Sequence, residues 1–212
     1  MSTLDLQEQE QVDALKAWWK ENGKWLITVF VVAVLGFAGM QYWKKHQAGQ
    51  AAEAATLYGE VMKQVASNDP KRINDAVAAL VDRYGRTAYA PRAQLLAVQA
   101  NLQARDVARA KSQLQWVIDH ASESGLQDTA RLKYASLLLD EKDYDGAMKL
   151  LDATHPEAFV GLYADLKGDV LNAQGKTEEA RVAYKMAFEK TDPNSMYRNL
   201  IQMKLDALGG AK

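Results

Sequence analysis

Three histidines, His46, His120 and His155, are the only imidazoles in the chain of 212 residues. None lies in a His-Glu-x-x-His helix or beside a carboxylate pattern that would hold a metal. His46 follows a long apolar run, His120 closes an expected helix, where a cation suits the dipole, and His155 precedes Pro156 in an expected turn. Ser122 and Ser124 stand near Gly125 but do not form a nucleophile elbow. No glycine loop of the phosphate-binding kind is present, and there is no cysteine to serve as thiol nucleophile, zinc ligand or disulfide partner. Asp165 and Asp169, four apart on an expected helix, have the spacing of paired acids. The same spacing describes a solvated or groove-lining face, which is the reading adopted. The residues therefore point to no catalytic site, no metal and no cofactor, and the chain is read as a non-enzymatic binding protein.

The elements that carry these residues follow from periodicity. Lys and Arg total 26 against 27 Asp and Glu, a net charge of -1 without the concentrated basic surface that nucleic acid requires. Thirteen glycines, four prolines and abundant Ala, Leu, Gln and Lys favour helices. Ala76 and Leu80 recur as Ala110 and Leu114, Ala147 and Leu151, and Ala180 and Tyr184. The period is close to that of a tetratricopeptide hairpin, in which a small residue lets the second helix cross the first. Turns precede three of these alanines in phase: Arg105-Asp106-Val107, Lys142-Asp143-Tyr144 and Gly175-Lys176-Thr177. Upstream, at equal distance from the alanines, stand Val98, Ala135 and Gly168. Pro70, Pro91, Pro156 and Pro193 fall at expected helix boundaries. The expected fold is all-α: helices near 48–67, 71–84, 91–104, 106–120, 127–141, 143–153, 157–174, 176–190 and 195–208, the last capping the stack, with a degenerate first repeat. Alignment on the alanines puts Arg92, Gln99, Gln103, Ser136, Asp140, Asp165, Asp169 and Asn172 on the groove-lining helices, as candidate peptide-binding residues. On that reading, reversing the charges of Asp165 and Asp169 together weakens binding and leaves melting nearly unchanged.

Residues Trp25 to Trp43 carry no charge. Nineteen helical residues rise roughly 28 Å, close to a hydrocarbon core of about 30 Å. Trp25 stands at one end and Tyr42 with Trp43 at the other, as expected of aromatic anchors at the two interfaces of a lipid bilayer. Lys24 and Lys44-Lys45 bracket the run. A buried core helix and a cleaved signal peptide compete with a retained anchor; the long acidic leader and the Tyr42-Trp43-Lys44-Lys45 exit favour the anchor. Ahead of it, Val12, Leu15 and Trp19 share a helical face that either lies on the membrane surface or continues the span as a water-exposed helix. The chain thus divides into an amphipathic segment 1–24, a span 25–43 and a repeat domain 44–212. Lysine counts on the two sides do not orient the span.

Three blocks carry a family resemblance: Glu10 to Lys16 with Trp18 to Lys24; Tyr42 to Gln47; and Ala164 to Asp169 with Gly175-Lys176, joined by Gln202 to Leu205. With them the chain resembles the YfgM-type ancillary subunits of the bacterial Sec translocon. Middle stretches such as Gln115 to Ile118 match only loosely. The resemblance implies an inner-membrane protein with a cytoplasmic N-terminus and periplasmic repeats. It also implies association with Sec translocon subunits and with a membrane-anchored prolyl-isomerase-like chaperone, and assistance to exported polypeptides. A tetratricopeptide scaffold in envelope assembly or cell division is the alternative.

If the span is real, Val32→Arg at its centre costs about 2.5–3.5 kcal/mol of insertion free energy. The variant is expected to move toward the soluble fraction after salt and carbonate washing; unchanged retention would contradict a spanning helix.

Overall fold

A computed structural model describes residues 3–209 of the chain, with side-chain surroundings from residue 10 onward. The outer ends of the expected segments 1–24 and 44–212 lie outside the described residues. Nine α-helices are present among the described residues: α1 (Thr3–Ser67), α2 (Pro70–Tyr84), α3 (Tyr89–Gln103), α4 (Val107–His120), α5 (Ser124–Asp140), α6 (Tyr144–Leu151), α7 (Val160–Ala173), α8 (Thr177–Lys190) and α9 (Met196–Ala207). The chain divides into two units, residues 1–50 and 51–212.

The first unit is helical throughout its described length. Its apolar run is long and hydrophobic enough to cross a membrane, and only 6% of that window is buried. Trp25, Tyr42 and Trp43 are all exposed. The separate helix expected near 48–67 is instead the end of α1, because nothing between Trp43 and Ala48 breaks a helix: Lys, His and Gln are all tolerated there. Between the two readings of the segment ahead of the span, α1 runs without interruption, so Val12, Leu15 and Trp19 sit on a continuing helix. The Trp19 indole lies over Gly23, where a Cβ would stand 3.2 Å from the ring.

In the second unit the turns explain the hairpins. Arg105, Lys142 and Gly175 adopt positive φ of 61°, 64° and 78°. Each closes the preceding helix with the same pair of backbone bonds. The N–H of Arg105, Lys142 or Gly175 reaches the carbonyl of Leu102, Leu139 or Asn172, and the next N–H reaches Asn101, Leu138 or Leu171. This is the left-handed helix terminator that glycine favours. Asp106 and Asp143 then cap the following helix, their carboxylates accepting from the N–H of Arg109 at 3.1 Å and Gly146 at 3.0 Å. Asp69 caps α2 in the same way, with Pro70 at its first position.

Each apolar cluster joins one hairpin to the first helix of the next. Val61 of α1 packs with Ile73, Val77 and Leu80 of α2 and Ala93 and Ala97 of α3. Val98 of α3 meets Leu114 and Val117 of α4 and Ala130 of α5. Ala135 and Leu138 of α5 meet Ala147 and Leu151 of α6 and Tyr163 and Val170 of α7. Ala164 and Leu171 of α7 meet Ala180, Tyr184 and Ala187 of α8 and Ile201 and Leu205 of α9. Ala110, Ala147 and Ala180 are fully buried, as the repeat register requires. Ala76 is only half-buried, and Ile73, Val77 and Leu80 fill the crossing instead. The first hairpin is off register because its leading helix is the end of α1. Helix α5 starts three residues earlier than expected, since Ser124 and Gly125 open it rather than forming a turn. The stretch expected as one helix from 157 begins as a 3-10 turn, Glu157–Phe159, after Pro156.

The tightest crossing is at Gly168. A Cβ there would lie 2.5 Å from Tyr184 Cε1. Tyr184 occupies the place held by Leu114 and Leu151 in the other hairpins, and the larger ring requires the smaller partner. Gly168→Ala is expected to destabilise the chain by about 1–3 kcal/mol, the usual range for overpacking. Adding Tyr184→Leu should recover part of the loss in a double-mutant cycle by thermal melting; strict additivity would show that the two residues are not in contact.

Candidate functional site

The first helices of successive hairpins lie side by side: α3 touches α5, and α5 touches α7. The exposed faces of α5, α7 and α9 surround an open pocket of about 310 Å³. Leu132, Lys133 and Ser136 come from α5, Leu162, Asp165, Leu166 and Asp169 from α7, and Tyr197 and Lys204 from α9. Of the eight candidate groove residues, the pocket gathers Ser136, Asp165 and Asp169. Asp140 and Asn172 are exposed on α5 and α7 but do not line it, and Gln99 and Gln103 are exposed on α3. Arg92 is held in a two-pronged ion pair with Glu123, at 2.8 and 2.7 Å, and donates to the Ala88 carbonyl. That pairing holds the Glu123 carboxyl below its usual range and spans the start of α3 and the residue before α5.

Asp165 and Asp169 are not a solvated face. Asp165 is 3% exposed. The Lys204 ammonium donates to both its oxygens, at 3.0 and 2.8 Å, and to Asp169 at 2.8 Å. The Tyr197 hydroxyl also donates to Asp165, and the Tyr184 hydroxyl donates to Asp169 at 2.7 Å. The charge-reversal expectation is therefore corrected for stability: a cation at position 165 would be buried against Lys204 with no carboxylate between them. Burial alone would depress the Lys204 ammonium, but its hydrogen bonds to Asp165 and Asp169 outweigh that and hold it above the ordinary lysine range. Tyr184 and Tyr197 are pushed well up, first by burial and then by the aspartates they face. None of these shifts moves a proton transfer toward neutrality, so the cluster is a lock on α9 in which two carboxylates share one ammonium.

Lys204 and Tyr197 were not among the sequence candidates. They belong to the capping helix, seven apart on one face, and that spacing was the available signal. The histidines are accounted for by local contacts. His120 Nδ1 lies 2.9 Å from the Trp116 carbonyl and its ring stacks on Trp116; His155 stacks on Tyr163 with centroids 4.0 Å apart; His46 stacks on Tyr42. Among the described residues no group of three or more His, Cys, Asp or Glu is placed to hold a metal ion.

Lys204→Met leaves two carboxylates uncompensated, one of them buried. Breaking a buried pair typically costs about 3–5 kcal/mol; partial exposure of Lys204 and Asp169 lowers the expectation to about 2–3 kcal/mol at neutral pH. The sign with pH follows from raised folded-state values on Lys204, Tyr184 and Tyr197. Their contribution is complete below the unfolded values of 10.0 for tyrosine and 10.5 for lysine, and is lost as pH rises above them. Thermal melts of the wild-type chain should therefore lose this stabilisation as pH rises on the alkaline side, and the deficit of Lys204→Met should narrow there. A deficit that stays constant through the alkaline range would mean that Lys204 does not compensate the aspartates.

A family model for a tetratricopeptide repeat-like domain matches residues 16–210. Over 204 residues the chain is 34% identical to a Neisseria gonorrhoeae protein named ancillary SecYEG translocon subunit, covering 96% of this chain and 98% of that one. Proteins of the same name from Haemophilus influenzae and Escherichia coli are each 29% identical, over 206 and 201 residues. They too are covered almost completely, 98% and 96% of their lengths. With hairpins of the tetratricopeptide kind behind an apolar helix, and likeness along nearly its whole length, the chain belongs to the YfgM-type family of tetratricopeptide repeat-like proteins.

Proposed function

We propose that the chain is a non-enzymatic accessory subunit of the bacterial Sec translocon, held in the inner membrane by residues 25–43. Segment 1–24 lies in the cytoplasm and segment 44–212 in the periplasm. There the repeats keep a membrane-anchored, prolyl-isomerase-like chaperone near the channel and assist exported polypeptides. The observation that carries this reading is the near-complete coverage at 34% identity of a relative named for the translocon. The exposed apolar helix supports the anchor, with Trp25, Tyr42 and Trp43 as its interface residues. The groove supports binding, through exposed Gln99, Gln103, Ser136, Asp140 and Asn172, with Arg92, Asp165 and Asp169 shaping its walls by their ion pairs. Effective concentration favours the arrangement: two partners in one bilayer meet more often without any new contact.

Purification of the full chain in mild detergent, followed by mass spectrometry, tests the partners. Sec channel subunits together with a membrane-anchored prolyl-isomerase-like protein are expected. Cell-wall or division proteins in their place would transfer the chain to an envelope scaffold. Orientation is tested by Asn194→Cys, an exposed site in a chain with no other cysteine. An impermeant maleimide is expected to label it once the outer membrane alone is opened. Labelling only after the inner membrane is permeabilised would put the repeats in the cytoplasm.

A further inference from the structure

The hairpins do not all seat their second helix in the same way. Ala110, Ala147 and Ala180 are fully buried at their crossings, whereas Ala76 of α2 is only half-buried and Ile73, Val77 and Leu80 fill the crossing. Helix α3, against which α2 packs, is weakly specified by its own apolar pattern. Arg92 is the one charge among its fifteen residues. Ala93 and Ala97 belong to the cluster shared with α1 and α2, while Val98, Leu95 and Leu102 belong to the cluster shared with α4 and α5. With apolar side chains on both sides, turning α3 about its axis exchanges one apolar contact for another, so burial alone selects its rotation weakly.

At this place three amide side chains are buried: Asn74 of α2, Asn101 of α3 and Gln113 of α4, which are 5%, 1% and 9% exposed. Asn74 donates to Asn101 Oδ1 at 2.8 Å, and Asn101 donates back to Asn74 Oδ1 at 3.1 Å. Asn101 also donates to Gln113 Oε1 at 2.7 Å, and Gln113 closes the ring by donating to Asn74 Oδ1 at 2.9 Å. Asn74 further donates to the Pro70 carbonyl at 2.7 Å. The fold does not require polar groups here. At the places of Asn101 and Gln113 the next two hairpins hold Leu138 with Leu150, and Leu171 with Ala183, each pair in one apolar cluster. Amide bonds exchanged for bonds to water contribute little net stability, but a rotation that parts them leaves buried donors and acceptors unpaired at high cost. Apolar side chains would supply burial; the amides add direction.

We propose that the Asn74–Asn101–Gln113 ring is a register device: it holds α2, α3 and α4 at one rotation where the alanine crossing and the apolar pattern do not. It contributes uniqueness of packing rather than stability. Gln99 and Gln103, exposed on α3 two residues before and after Asn101, take their outward direction from the rotation the ring selects. The three amides are positioning residues for that part of the groove.

The full chain, in nanodiscs of zwitterionic lipid, has no cysteine of its own. Gln103→Cys on α3 and Lys185→Cys on α8, both exposed, can therefore carry nitroxides for a pulsed dipolar distance measurement. A label on the surface of a helix about 10–12 Å wide moves by several ångströms when the helix turns by one residue position. Asn101→Leu alone leaves Asn74 and Gln113 short of partners and should lower the melting temperature by about 5 °C or more. In the triple variant Asn74→Val, Asn101→Leu and Gln113→Ala, the last two changes copy Leu171 and Ala183, and total side-chain volume stays about constant. It should melt within about 2 °C of the wild-type chain. Its distance distribution, single and narrow in the wild-type chain, should split or broaden over more than one rotation of α3. A triple variant that keeps the wild-type distribution overturns the proposal, because packing alone would then set the register. A triple variant that melts as low as Asn101→Leu, or loses its cooperative melt, overturns it as well, because the ring would then supply stability and not choice.

Discussion

Two helices approach closely where a side chain at their crossing is small, and the last three hairpins of the repeat domain depend on that condition being met. Ala110, Ala147 and Ala180 meet it by being fully buried. Their neighbours one turn on, Leu114, Leu151 and Tyr184, then reach the facing helix. Where the incoming side chain is largest, at Tyr184, its partner has no side chain at all, Gly168. The condition propagates. Because every apolar cluster includes the first helix of the following hairpin, the angle at one crossing sets the seat for the next helix, and the groove faces of α5, α7 and α9 are aligned as a consequence.

Helix α9 follows the last described hairpin, and here a polar device completes what packing begins. Ile201 and Leu205 bury one edge of α9. Lys204 reaches past them to Asp165 and Asp169, while Tyr197 and Tyr184 bind one aspartate each. Such a network is directional where apolar contact is not, so it selects one rotation of α9 over its neighbours. That choice determines which residues of α9 face the pocket. The same network shares one ammonium between two carboxylates, so the pocket floor keeps one negative charge in excess.

The repeat architecture was legible because it is written in local terms: alanines at a near-constant period, turns in phase, and prolines at the boundaries. The three left-handed turns were found from the neighbours of Asp106, Asp143 and Gly175, although only Gly175 has the residue type that such a conformation favours. The long apolar helix was legible for the same reason, being contiguous. What could not be read is what depends on distant partners. Asn101 stands nine residues before Ala110, where the other hairpins carry Leu138 and Leu171. It is buried in a closed set of amide hydrogen bonds with Asn74 and Gln113, at 2.7–3.1 Å. Nothing in its own neighbourhood announces two partners twelve and twenty-seven residues away. Asp165 and Asp169 read from the sequence as a solvated or groove-lining face, and only the second holds, since their counter-ion lies thirty-five to thirty-nine residues downstream.

These placements also bear on why the Asp165–Asp169–Lys204 cluster holds a helix rather than moves a proton. An acid or base useful near neutral pH needs a carboxyl pushed up, or an amine pushed down, by burial without compensation. Here Lys204 is held up by the two aspartates against the effect of its burial, and the tyrosines are moved away from neutrality. Compensation of this kind stabilises charge where it already is and resists its movement. The chain instead exposes two apolar surfaces of different kinds. The run from Trp25 to Trp43 is apolar all round, as a helix must be when its surroundings offer no water on any side. The α9 edge formed by Met196, Leu200 and Met203 is by contrast a single narrow exposed stripe, opposite the edge that Ile201 and Leu205 bury. The first surface has the length and hydropathy to cross a bilayer; the second is one edge of a helix whose opposite edge is buried.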